Sequence, residues 1–108
     1  MDFKAKENLI NKLFQECLDI QTKKGPDYAG TTNALSNFKR NAEQLGLTKY
    51  QVWAIYFNKH IDAIMMSIKR YPSQPQVESE PLAERIRDAI NYLALLLCLL
   101  EEEYKNEK

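Results

Sequence analysis

The chain has 108 residues, 44% of them hydrophobic and 28% charged, which suffices for one domain, residues 1–108, and is too little for two. Fifteen Lys and Arg balance fifteen Asp and Glu, so there is no bulk positive field to hold a nucleic-acid backbone or an anionic membrane, and nonspecific nucleic-acid binding is disfavoured. The two cysteines, Cys17 and Cys98, lack CxxC or Cys/His spacing, and neither the start of the chain nor the short apolar run Leu93 to Leu100 has signal-peptide or spanning length; the expectation is a cytoplasmic chain with buried, reduced thiols and no membrane segment.

From about Phe3 to Thr22, the apolar residues Leu9, Ile10, Leu13, Phe14, Cys17, Leu18 and Ile20 fall on one broad helical face. Gly25 and Pro26 are expected to end this helix, leaving DYAGTTN as a loop that holds Asp27 and Tyr28. A second helix is expected over about 33–45, capped by Thr32 or Asn33 and stopped by Gly46. Thr48 followed by Gln51 is a capping-box pattern and opens a third helix that runs to about Arg70.

The third helix has a core stripe of Trp53, Phe57, Ile61, Ile64 and Ile68. A second row, Val52, Ile55, Lys59, Asp62 and Met66, places a charged pair between apolar residues. After the proline-bearing link YPSQPQVE, a fourth helix is expected over about 80–105, with Pro81 in its first turn. Leu82, Ile86, Ala89, Leu93, Leu96 and Leu100 give it one continuous apolar stripe. Roughly opposite, Glu84, Asp88, Asn91, Leu95 and Cys98 form a row that begins with two carboxylates and an amide. Four helices without a strand pattern make an all-α four-helix bundle the expected fold, and the surplus apolar rows suggest a dimer or higher homo-oligomer.

If helices three and four are neighbours, Lys59 and Asp62 can face Glu84 and Asp88, with Glu80 one turn before Glu84. Carboxylates that converge from facing helices suit Mg²⁺ or Mn²⁺, which would bridge to substrate phosphates, while Asn91 can donate to a sugar, base or phosphate. Lys39, Arg40, Lys59, Arg85 and Arg87 are candidate phosphate partners, of which Lys59 alone is expected to face inward. The same charges could equally form an ion-pair network that sets helix register. With one histidine, His60, and three scattered glycines, triad and phosphate-loop chemistry are set aside.

The segments KKGPDYAG, NFKRNAEQLG, KHIDAI and SEPLAERIRDAINYL resemble, in this order, the small phage and bacterial proteins grouped as nucleotide modification associated domain 1. The resemblance covers roughly Lys23 to Leu97. It implies a role in nucleotide metabolism or modification and places the family's recurring features on Lys24, Asp27 and Tyr28, on Asn37 and Phe38, on Lys59 and His60, and on Glu84, Asp88, Asn91 and Tyr92. Glu84 stands where an aspartate is commoner.

A more distant similarity is to the MazG-like all-α nucleoside triphosphate pyrophosphohydrolases, which hold Mg²⁺ on acidic pairs from two adjacent helices. The last helix has its half of that pattern; the third offers Lys59 and Asp62 where two acids would be expected. The resemblance implies a phage-type protein of the host cytoplasm. Its ligand, a nucleotide or nucleotide-derived molecule, would lie between helices three and four against Lys24, Asp27, Tyr28, Asn37, Lys59, His60, Asn91 and Tyr92. The alternatives are a Mg/Mn-dependent pyrophosphohydrolase, with Asp62, Glu84 and Asp88 catalytic and Glu80 a further metal ligand, and a structural protein whose polar rows are assembly contacts.

Overall fold

The computed structural model describes residues 1–29, 35–75 and 82–106, and of residues 24–29 and 106 the backbone alone. Four α-helices, α1 (Phe3–Ala29), α2 (Ser36–Leu45), α3 (Lys49–Arg70) and α4 (Leu82–Asn106), make an all-α architecture, with no strand among the described residues. None of these helices is long and apolar enough to cross a membrane.

Local chemistry sets the helix ends. Gly46 takes the left-handed conformation, φ +68°, that only a residue without Cβ adopts cheaply, and the N–H groups of Gly46 and Leu47 both reach the carbonyl of Ala42. At Thr48 the capping box forms in both directions: Thr48 Oγ1 accepts from Gln51 N–H at 3.1 Å, and Gln51 Oε1 accepts from Thr48 N–H at 2.8 Å.

Two boundaries differ from expectation. α1 continues through Gly25 and Pro26 to Ala29; a proline three residues from a helix end forfeits one ladder bond and leaves the remaining turn in place. Asp27 and Tyr28 therefore belong to the last turn of a helix rather than to a loop. The residue that precedes α2 is Leu35, whose side chain accepts no hydrogen bond, while the expected caps Thr32 and Asn33 lie outside the described residues, as do Glu80 and Pro81.

α3 packs most extensively, on α4, and runs antiparallel to it: Tyr50 and Lys49 reach Glu103 at one end, and His60 lies beside Asp88 further along. α1 runs parallel to α4, since Glu16 and Cys17 meet Arg87 and Gln21 meets Asn91 one turn on. α2 closes one flank of the α3/α4 pair, where Lys39 is paired with Glu102. The core at this junction comprises Leu35, Phe38, Ala42, Val52, Trp53 and Leu99. Leu99 is fully buried, worth about 1.5–3 kcal/mol of hydrophobic stabilisation relative to exposure. The Trp53 ring stacks on Phe57 at 4.7 Å, and its Nε1 donates to the carbonyl of Tyr92.

The rotation of each helix is the main departure from the sequence reading. In α3, Val52 and Trp53 are buried and Phe57, Ile61 and Ile64 are half-buried, but Ile68 is exposed. Lys59 and Asp62 are also exposed. With Trp53 and His60 turned to α4, a helix of 3.6 residues per turn swings Lys59 about 100° and Asp62 about 160° away, so the inward position expected for Lys59 does not hold. In α4 the inward residues are Ala89, Asn91, Tyr92, Leu95, Leu96 and Leu99, together with Asp88. Half of its apolar stripe, Ile86, Leu93 and Leu100, faces outward with Leu97. Cys98, expected to be buried, is exposed; Cys17 is buried, and both thiols are free.

Candidate functional site

Helices α2, α3 and α4 share a row of polar and aromatic side chains that runs along their common seam. It starts on α2, where Asn37 and Asn41 stand one turn apart. Asn41 Nδ2 lies 3.2 Å from Asn37 Oδ1 and 2.9 Å from the Tyr56 hydroxyl of α3, while Arg40 reaches Asn37 Oδ1 at 3.4 Å. Tyr56 is followed on the same face of α3 by His60, four residues on. Between them, from α4, comes Tyr92. Its ring centroid is 6.5 Å from that of Tyr56, 6.4 Å from Phe38 and 4.9 Å from the His60 imidazole, which is tilted by 35° to it.

At the far end of the row, His60 meets two charged groups from α4. Arg85 Nη1 lies 3.3 Å and Asp88 Oδ2 3.9 Å from His60 Nδ1. A guanidinium has only donors, so this contact is a hydrogen bond in the tautomer that keeps the lone pair on Nδ1, and Asp88 lies outside hydrogen-bond reach of the same nitrogen. The imidazole side chain is 12% exposed and the Asp88 carboxylate 35%, which makes Asp88 the solvent-facing edge of the cluster. Burying a polar group costs free energy unless it is matched, and here an acceptor, a donor and a carboxylate lie within one side-chain length of each other on two adjoining helices.

The other groove of α4 is closed by α1. Arg87 Nε donates to Glu16 Oε2 at 2.6 Å, Lys12 lies 3.9 Å from the same carboxylate, and Gln21 Nε2 donates to the carbonyl of Asn91 at 3.3 Å. Cys17 sits under this pair with its Sγ 3.8 Å from the carbonyl of Arg87. Burial pushes its thiol above the ordinary value, with Glu16 and Asp88 acting in the same direction and Arg87 against them.

The structure thus brings the sequence-selected residues Asn37, His60, Asp88 and Tyr92, with the candidate phosphate partner Arg85, onto one row that has Asn37 at one end and Asp88 at the other. It does not bring the others to it. Lys59 and Asp62 are on the exposed side of α3, where Asp62 accepts from Asn58 Nδ2 at 3.2 Å, and Glu84 is exposed on α4. Asn91 is buried, in the groove shared with α1. The side chains of Lys24, Asp27 and Tyr28, and all of Glu80, lie outside the described residues. Among the described residues no three His, Cys, Asp or Glu side chains gather as a metal-ligand group, so the expected set for Mg²⁺ or Mn²⁺ is not assembled by Asp62, Glu84 and Asp88.

Two members of the row, Asn41 and Tyr56, were not marked as site residues by the sequence, and Arg85 was marked as a phosphate partner without being expected to face inward. The spacing was present: Asn41 is four residues after Asn37, Tyr56 four before His60, and Arg85 three before Asp88. Compared with family models, with curated proteins and with solved structures, the chain matches none.

Proposed function

We propose that this chain binds a nucleotide or nucleotide-derived ligand on the α3/α4 seam and holds it without cleavage, as a sequestering or sensing protein of the phage-infected cytoplasm. The observation that supports this reading is the meeting of Arg85, His60, Asp88 and Tyr92 within one cluster. Each group has a matching task. The Tyr92 and His60 rings offer faces against which a base can stack, Arg85 offers the bidentate donor geometry that phosphate oxygens accept, and Asp88 accepts from an exocyclic amine or a ribose hydroxyl. The Asn37, Asn41 and Tyr56 ladder supplies further amide and hydroxyl groups along the same line. In this reading the four helices form a bundle, the chain works as a homo-oligomer, and Lys24, Asp27 and Tyr28 from the end of α1 complete the ligand's surroundings.

Holding is placed above hydrolysis because Asp62 is exposed on the side of α3 turned away from Asp88 and Glu84 is exposed one turn before Asp88 on the same helix, whereas metal-assisted attack of water needs carboxylates from two helices on one ion. The experiment is a pooled nucleotide panel incubated with the purified chain and Mn²⁺, after which free and protein-bound fractions are denatured and analysed by mass spectrometry. An intact nucleotide carried by the protein is the expected result, with Arg85→Gln weakening it by about 10- to 100-fold through loss of charge-assisted hydrogen bonds. Monophosphate and pyrophosphate in the free fraction would make the chain a pyrophosphohydrolase instead. An empty protein fraction beside an unaltered panel would overturn the nucleotide reading.

A further inference from the structure

Apart from Ala89 and Leu96 at its edge, one face of α4 has no role in the packing described above. Between Leu82 and Leu100 an arc of about 160°, centred near Leu93, contains only Leu, Ile and Ala. The charged residues of that stretch, Glu84, Arg85, Arg87 and Asp88, all fall on the other side. Ile86, Leu93, Leu97 and Leu100 on this face are 38% to 59% exposed. α1 and α3 pack against the remaining circumference, and α2 reaches it through Phe38 and Lys39. On the flank of α3 away from α2, half-buried Phe57 and Ile61 and exposed Ile68 extend the apolar surface.

We propose that a second copy of this chain docks on this face, α4 against α4. The inference rests on the homo-oligomer part of the reading above and is independent of the ligand.

Three observations support the second copy as occupant. The chain alone exposes 8128 Å², against ~6,200 Å² for a compact monomer of 12.6 kDa. Its radius of gyration is 16.1 Å, against ~13 Å for a compact domain of this length. The excess leaves room for the ~800 Å² per subunit that a stable dimer of standard size buries.

The face is also self-complementary. Ile86, Ile90, Leu93, Leu97 and Leu100 repeat at spacings of four, three, four and three, the seam that lets two helices interlock along their length. An antiparallel pair about a two-fold axis sets Leu93 against its own counterpart and Ile86 against Leu100 of the second copy, so each side chain finds an apolar partner. Electrostatics do not oppose the pairing, because the formal net charge is zero and the arc itself is uncharged. An anionic membrane or a charged partner would find no matching group on it.

Sedimentation velocity of the full chain, over a concentration series up to about 100 μM, tests this directly. The wild type is expected to sediment as a dimer or an even-numbered oligomer. The double variant Leu93→Glu with Leu97→Glu should dissociate to monomer, with self-association weakened by about 100-fold or more and helical circular dichroism unchanged, since both side chains are half in solvent. Should the glutamates unfold the chain, Leu93→Gln with Leu97→Gln gives the same reading. Leu18→Glu, on the exposed apolar side of α1, is the control and should leave the assembly intact.

An oligomer that survives both double variants would show that the chain assembles through another surface and would overturn this inference alone. A wild type that is monomeric throughout would overturn the inference and the homo-oligomer reading together, and vesicle flotation of that monomer would assign the face to lipid.

Discussion

The two long faces of α4 contrast in a way that runs against the usual division between core and surface. The face turned to α3 carries Arg85, Asp88 and Tyr92 before it becomes aliphatic at Leu95, Leu96 and Leu99; the face turned to solvent carries Ile86, Leu93, Leu97 and Leu100 without a charge among them. A helix optimised only to bury its own apolar surface would be rotated by about half a turn. The observed rotation keeps a fully buried Leu99 at the α2/α3/α4 junction and spends the first turns of the inner face on polar groups. In the proposed reading, inner polarity serves a ligand and outer apolarity a second copy of the chain.

The largest effect that can break this comparison is in the aliphatic half. Leu99→Ala should destabilise the fold by about 2–5 kcal/mol, the range for a cavity in a closed core, whereas Leu97→Ala, measured by urea unfolding of dilute monomer, should stay within about 0.5 kcal/mol. Equal costs at the two positions would mean that α4 is rotated differently.

A smaller effect is expected in the groove with α1. Glu16→Gln weakens the pair with Arg87, about two-thirds buried on each side, and should cost about 1 kcal/mol in urea unfolding at low salt. No change there would detach α1 from the account of how α4 is oriented.

The cysteines give the mildest contrast, one on each side of the fold. Cys98 should react with an aromatic disulfide reagent at the rate of an open thiol, while Cys17 should react only as the fold opens. Because the folded-state pKa of Cys17 is raised, both folded and unfolded chains hold its proton below pH 9.0 and the thiol contributes no pH dependence there. Above that pH the unfolded chain releases the proton first, ν_U falls below ν_N, and stability drops as pH rises through the folded value. The urea midpoint of the wild type should therefore fall more steeply above about pH 9 than that of Cys17→Ala.

What the sequence made legible follows from how local each signal is. The Thr48/Gln51 capping box and the Gly46 cap are settled within a few residues of backbone, and both appear as read. The helix-stopping pair Gly25 and Pro26 is equally local but was outweighed, because a terminal turn loses little by one missing bond.

Rotation is not local. Periodicity shows which residues share a face; it does not show which face a neighbouring helix covers. That is why Lys59 and Asp62 were expected inside and are outside, and why half of the apolar stripe of α4 is exposed. Asp88 was reached through spacing, whereas His60 and Tyr92 were reached as site residues through the family resemblance. Arg85 was read as a phosphate partner but not as an inward one, because an arginine in a first helical turn carries no inward signal until His60 is placed opposite it.

Native mass spectrometry of wild type, Arg85→Gln and Leu93→Glu/Leu97→Glu, each with the same nucleotide panel, tests the separation of the two faces most directly. The account predicts that Arg85→Gln keeps the assembly and loses the nucleotide mass, while the double leucine variant loses the assembly and, as a monomer, keeps the nucleotide. A nucleotide retained by Arg85→Gln as tightly as by the wild type, or no nucleotide on any of the three, would contradict it.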